Sequence, residues 1–139
     1  MQSSASISTR SLQYYAIARH WVSDLEFFRI ETAFLHKIMD DHFVPLAAGS
    51  HVKDFIETGK KLLELEKSET RLNALLDEQL IHLELMAEDV IPEDVEELEG
   101  KQVHLEKVMN NLTNEYRQVK KEMFTLVERV MHQAGKHIK

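Results

Sequence analysis

The sequence predicts an all-α protein, an elongated antiparallel three-helix bundle that runs up-down-up. Three observations predict it. Apolar residues recur at alternating three- and four-residue spacing through three long stretches, the pattern that keeps one helix edge facing a partner. The strongest breaks in that pattern are two short segments, each containing a proline. Four Gly and two Pro are too few for an all-β chain, in which each hairpin needs its own turn residues. A length of 139 residues suits one domain, here residues 1–139. Hydrophobic residues at 43% against 29% charged exclude a wholly disordered chain.

The first helix is expected over about residues 9–43, with a coiled-coil-like seam of Tyr14, Ala18, Trp21, Leu25, Phe28, Thr32, Leu35 and Met39. Residues 1–23 contain no acid and many serines, and the opening is read as a Ser-rich lead-in to this helix. Pro45 disfavours helix at Val44, and Ser50 is placed to cap a second helix from His51 to about residue 89. Its seam is Leu62, Leu65, Glu69, Leu72, Leu76, Gln79, Leu83, Met86 and Val90. Pro92 suits the first turn of a third helix over about residues 92–136. Its seam is Leu98, Gln102, Leu105, Met109, Leu112, Tyr116, Val119, Met123, Leu126 and Val130. Gly59 and Gly100 fall inside helices, each at a cost of about 1 kcal/mol.

Treating the two breaks as hinges pairs residue i of the first helix with roughly 94 − i of the second. The same construction pairs residue j of the second with roughly 183 − j of the third. Gln79 then lies beside Gln102, with Tyr14 close by, and Glu69 lies beside Tyr116. Polar groups on a seam fix register at some cost in stability, so Glu69, Gln79, Gln102 and Tyr116 are the expected register pins.

A second apolar stripe exceeds what one bundle needs. Phe27, Ile30 and Phe34 leave the seam of the first helix; Phe124, Val127 and Met131 leave that of the third at the same level, where Gly59 could admit a ring. Contiguous exposed apolar side chains mark interaction surfaces, which points to a homodimer. A retained apolar ligand among Phe27, Phe34, Phe124 and Met131 is a further reading.

Asp77 to Glu99 contain ten acids, and no Lys or Arg lies between Arg71 and Lys101. Glu88, Asp89, Glu93, Asp94, Glu96 and Glu97 therefore form a candidate acidic docking tip for a basic protein partner, and four of them suit the positive end of the third helix. Eight His raise an alternative, a metal- or oxygen-handling bundle using His36, Asp40, His51 and His132 near the first turn. Against it, no His has a Glu three residues before it, as di-iron carboxylate bundles require, and the paired His lie off the seams.

Other classes find no support. Without Cys there are no disulfides, Cys-type zinc sites or thiol nucleophiles. There is no nucleophile elbow or phosphate-binding Gly loop, so the chain is expected to be non-enzymatic and to need no cofactor. A net charge of −7, with basic residues spread thinly through the third helix, argues against nucleic acid. No apolar run reaches the ~18 residues of a membrane span, and a cytoplasmic location is expected. The expected function is a helical interaction or scaffold protein that self-associates and binds a protein partner.

Overall fold

The computed structural model describes residues 7–138, with side chains through residue 132; the lead-in at residues 1–6 lies outside the described residues. Among those residues the chain is all-α and contains no strand. Four α-helices occur: α1 (Thr9–Asp41), α2 (Phe43–Leu46), α3 (Val52–Ala87) and α4 (Val95–Ile138), with a 3-10 turn at Gly49–His51 before α3.

The three long helices are those the periodicity predicts; α2 is the addition. It holds four residues, including Val44 and Pro45. The strain of a helical residue before proline is modest. It is offset here because Leu46 becomes fully buried and Phe43 packs edge-on against Phe55 at 5.6 Å. Proline also sacrifices nothing so early in a helix, where its amide would have no partner. Ser50 lies within the 3-10 turn, and α3 starts at Val52.

The second reversal also departs from expectation. α3 ends in a Schellman arrangement: the Val90 amide donates to the Leu85 carbonyl at 2.9 Å and the Asp89 amide to Met86 at 3.1 Å. The turn requires a left-handed residue, and Asp89 occupies it with φ of 58°. Pro92 follows this stop and lies three residues before α4 begins at Val95, so it does not open α4. The N-cap of α4 is Asp94, whose Oδ1 accepts the Glu97 amide at 3.1 Å.

The chain forms two compact units, one of Met1–Phe27 with Glu69–Asn111 and the other of Phe28–Ser68 with Leu112–Lys139. Each unit takes segments of α1, α3 and α4. The first unit buries Ala18 and Leu25 of α1, Leu72, Leu76, Leu83 and Met86 of α3, and Leu98, Leu105 and Met109 of α4. Ile7, Tyr14, Tyr15 and Ile91 close over Leu83, Met86 and Leu98. The second unit buries Leu35, Leu46, Leu62, Leu65, Leu112, Tyr116, Val119, Met123, Leu126 and Val130. Each Leu, Val or Met among them contributes about 1.5–3 kcal/mol when fully buried.

Candidate functional site

Within the second unit, the outer parts of α1 and α4 expose large apolar side chains. Ile30 is 69% exposed and Phe34 51%, and Phe124 and Met131 are 37% and 58% exposed. Phe27, in the first unit, is 55% exposed. Val127 differs from the expectation: at 8% it belongs to the core. On α4 the residues at 123, 126, 127 and 130 are all buried, so the inward arc is wider there than a strict heptad seam. Gly59 does not receive a phenylalanine ring. The methyl of Met39 occupies that space, 3.1 Å from where a Cβ would stand.

A charged cluster sits beside these side chains. The Tyr116 hydroxyl donates to Glu31 at 2.6 Å, and the Lys120 ammonium donates to the same carboxylate oxygen at 3.1 Å. Lys120 also lies over the rings of Tyr116 and Phe124, 5.7 and 5.8 Å from their centroids. Phe28 packs on Tyr116 at 4.9 Å. The hydrogen bond from Tyr116, and then that from Lys120, hold the Glu31 carboxyl below its usual range. Burial, reinforced by the carboxylate, pushes the Tyr116 phenol up; the bond to Glu31 raises Lys120. The α1–α4 edge thus carries a neutralised Glu–Lys pair among exposed apolar groups. Glu31 and Lys120 were not singled out from the sequence, although the hinge construction places residue 31 at the level of residue 120; no apolar pattern draws attention to them.

Of the expected register pins, Gln79 and Gln102 meet in the first unit: the Gln79 amide donates to Gln102 Oε1 at 3.2 Å, and Gln102 in turn donates to the Tyr14 carbonyl at 3.3 Å. Both side chains are buried. In the second unit the Tyr116 hydroxyl is directed to Glu31; Glu69, in the first unit, is 3% exposed.

The acidic segment is partly consumed by local structure. α1 has no acid in its own first turn, and Glu93 supplies one. Its carboxylate accepts the Ser8 amide at 3.1 Å and the hydroxyls of Ser8 and Ser11. Ser8 Oγ also accepts the Ser11 amide, completing an N-cap. The Ser11 hydroxyl, followed by that of Ser8, lowers the Glu93 pKa. Asp94 caps α4, and Glu97 pairs with Lys101 at 3.4 Å. Glu88, Asp89 and Glu96 keep their side chains at the exposed surface.

The candidate metal residues His36, Asp40, His51 and His132 all fall in the second unit. His36 Nδ1 faces Glu66 at 3.4 Å. Among the described residues no group of three or more His, Asp or Glu could hold a metal ion. Nor is any described helix long and apolar enough to cross a membrane. Compared with known protein families, curated proteins and solved structures, the chain matches none of them.

Proposed function

We propose that this chain is a non-enzymatic helical interaction protein, cytoplasmic, whose long helices run up-down-up with coiled-coil-like seams. It self-associates as a twofold dimer through the second unit and binds a basic protein partner through its acidic reversal. Contact order supports the helix directions. In the second unit Lys61 of α3 faces Glu122 of α4 at 2.7 Å while Asp54 faces Arg129 at 3.7 Å, an antiparallel sequence. In the first unit, the contacts of Arg10 with Glu99 and of Tyr14 with Gln102 support a parallel order of α1 and α4.

The observation that carries the self-association reading is the exposure of Ile30, Phe34, Phe124 and Met131 within one unit. An apolar surface gains by pairing with its own copy, and a twofold axis presents the same patch on both sides. The Glu31–Lys120 pair adds no net charge of its own to that patch. Each chain nonetheless carries a formal charge of −7. Added salt therefore tightens the dimer by screening the two chains from one another. Binding of a basic partner at Glu88, Asp89 and Glu96 weakens under the same salt.

Sedimentation velocity of Phe34→Glu tests the reading. Phe34 is an exposed helical position, so helicity by circular dichroism is expected to stay unchanged while the dimer dissociates. A monomeric parent chain, or a dimer that survives the substitution, overturns the proposed surface.

A further inference from the structure

α1 is a single helix from Thr9 to Asp41. At about 100° per residue, position in the helix fixes direction around its axis. Phe27 and Phe34 lie within about 60° of Ile30. All three are exposed and form one apolar row on the outward side of the helix.

Four charges share that row. Arg19 and Glu26 stand toward its N-terminal end, Lys37 and Asp41 toward its C-terminal end, each within about 40° of Ile30. All four are exposed, and among the described residues none of them makes an ion pair within the chain. The neighbouring charges of α1 are engaged or turned away. Asp24 pairs with His20, and Glu31 with Lys120. Arg29 and Asp40 are rotated by about a quarter-turn from Ile30.

The order of the four charges selects an occupant for this face. Along the helix it reads plus, minus, plus, minus, with Ile30 at the middle. Reversed, it reads minus, plus, minus, plus, which sets opposite signs against each other at every level. The spacing agrees. Arg19 and Asp41 each lie eleven residues from Ile30, about 16.5 Å along the axis. Glu26 and Lys37 lie four residues before it and seven after, a mismatch of about 4.5 Å that a lysine side chain spans. The face is thus complementary to its own reverse, a symmetry that an unrelated partner would not require. Parallel pairing would set each charge against its own like. Exposed ion pairs add little affinity, but like charges penalise the wrong orientation; the apolar row supplies the attraction.

We propose, resting on the self-association reading above, that two copies of the chain pair antiparallel through the outward face of α1. Ile30 lies on the twofold axis, Arg19 of each chain faces Asp41 of the other, and Glu26 faces Lys37.

The chain contains no Cys, so introduced thiols report this geometry alone. Ser23→Cys and Lys37→Cys place thiols at exposed positions seven residues either side of Ile30. In the antiparallel pair, position 23 of one chain lies beside position 37 of the other. Two copies of position 23 are about 21 Å apart along the axis, beyond the roughly 7 Å between Cα atoms that a disulfide spans. Mild oxidation is expected to link a mixture of the two variants and to leave each one alone unlinked. In sedimentation equilibrium, Arg19→Glu is expected to weaken the dimer about tenfold, and Arg19→Glu with Asp41→Arg to restore it. Arg29→Glu, which changes the charge equally but lies off the row, is expected to leave it nearly unchanged. Linking of Ser23→Cys to itself means parallel pairing and overturns this inference while self-association stands. A dimer that links in no combination, or that Arg29→Glu weakens as much as Arg19→Glu, overturns it in the same way. A monomeric parent chain overturns both.

Discussion

The reversal at residues 88–94, in the first unit, is held by hydrogen bonds; the reversal at residues 42–51, in the second, is held by packing. In the first case Asp89 adopts a left-handed conformation so that Val90 and Asp89 can cap α3, Asp94 caps α4, and Glu93 reaches back to the start of α1. In the second, Leu46 is driven to full burial and Phe43 meets Phe55, while neither α2 nor the 3-10 turn has a side-chain cap. The same contrast recurs away from the turns. The first unit places a neutral amide relay in its core; the second keeps its charged cluster at the edge, beside exposed aromatic side chains. Hydrogen bonds are directional and specify a geometry; apolar contacts reward any arrangement that excludes water. The first unit is therefore expected to be sensitive to the loss of single polar groups, and the second to the loss of volume.

The largest effect expected from this contrast is on the packed reversal. Leu46→Ala should destabilise the chain by about 2–5 kcal/mol in urea unfolding, through lost burial and the cavity left behind. A cost below about 1 kcal/mol would show that the turn does not depend on this anchor.

Gln102→Leu comes next. It strands the Gln79 amide in the core and should cost about 1–3 kcal/mol. The double variant Gln79→Leu, Gln102→Leu removes both partners and should recover most of that loss, since no buried amide is then left unpaired. If the double variant is no more stable than the single one, the relay is not what the core depends on.

Glu93→Gln tests the capping of α1 from a distance and should cost about 1 kcal/mol at neutral pH. The pH dependence has a definite sign. Ser11 and Ser8 hold the folded carboxyl below its ordinary value of 4.5, so the unfolded chain binds the proton more readily. The stability Glu93 supplies is complete at neutral pH and is lost as pH falls from about that ordinary value through its lowered folded value. Acid titration of unfolding free energy should show a shallower decline in Glu93→Gln than in the parent chain.

The smallest effect is at Asp89. Glycine adopts the left-handed conformation without a Cβ penalty, so Asp89→Gly should stabilise by about 0.5–1 kcal/mol, read as a rise in melting temperature. A fall would mean that the Asp89 carboxylate contributes something the backbone geometry does not require.

Much of this arrangement can be read before any coordinates. All ten expected seam positions on α4 are buried, as are the eight from Leu62 to Met86 on α3. On α1 the pattern is looser: Ala18, Leu25, Thr32 and Leu35 are buried, whereas Tyr14, Trp21, Phe28 and Met39 are half-buried. These larger side chains extend to the unit's edge. The hinge at the second reversal pairs Lys61 with Glu122 and Asp54 with Arg129, as observed. The hinge at the first would put His36 near Thr58, whereas it faces Glu66, about two turns away. The α2 helix and 3-10 turn intervene there, and a hinge construction treats them as a point.

By itself the sequence determined the all-α class, the three long helices and the inward edge of each, because a 3.6-residue repeat translates directly into position around a helix axis. Tertiary structure alone decided that Val127 turns inward, that Met39 fills the space at Gly59, that Glu93 caps a helix more than 80 residues away and that Gln79 is left with an unpaired oxygen. The reason is physical: periodicity says which way a side chain faces, but its partner depends on what another segment brings to the same place, and only the packed chain contains that information.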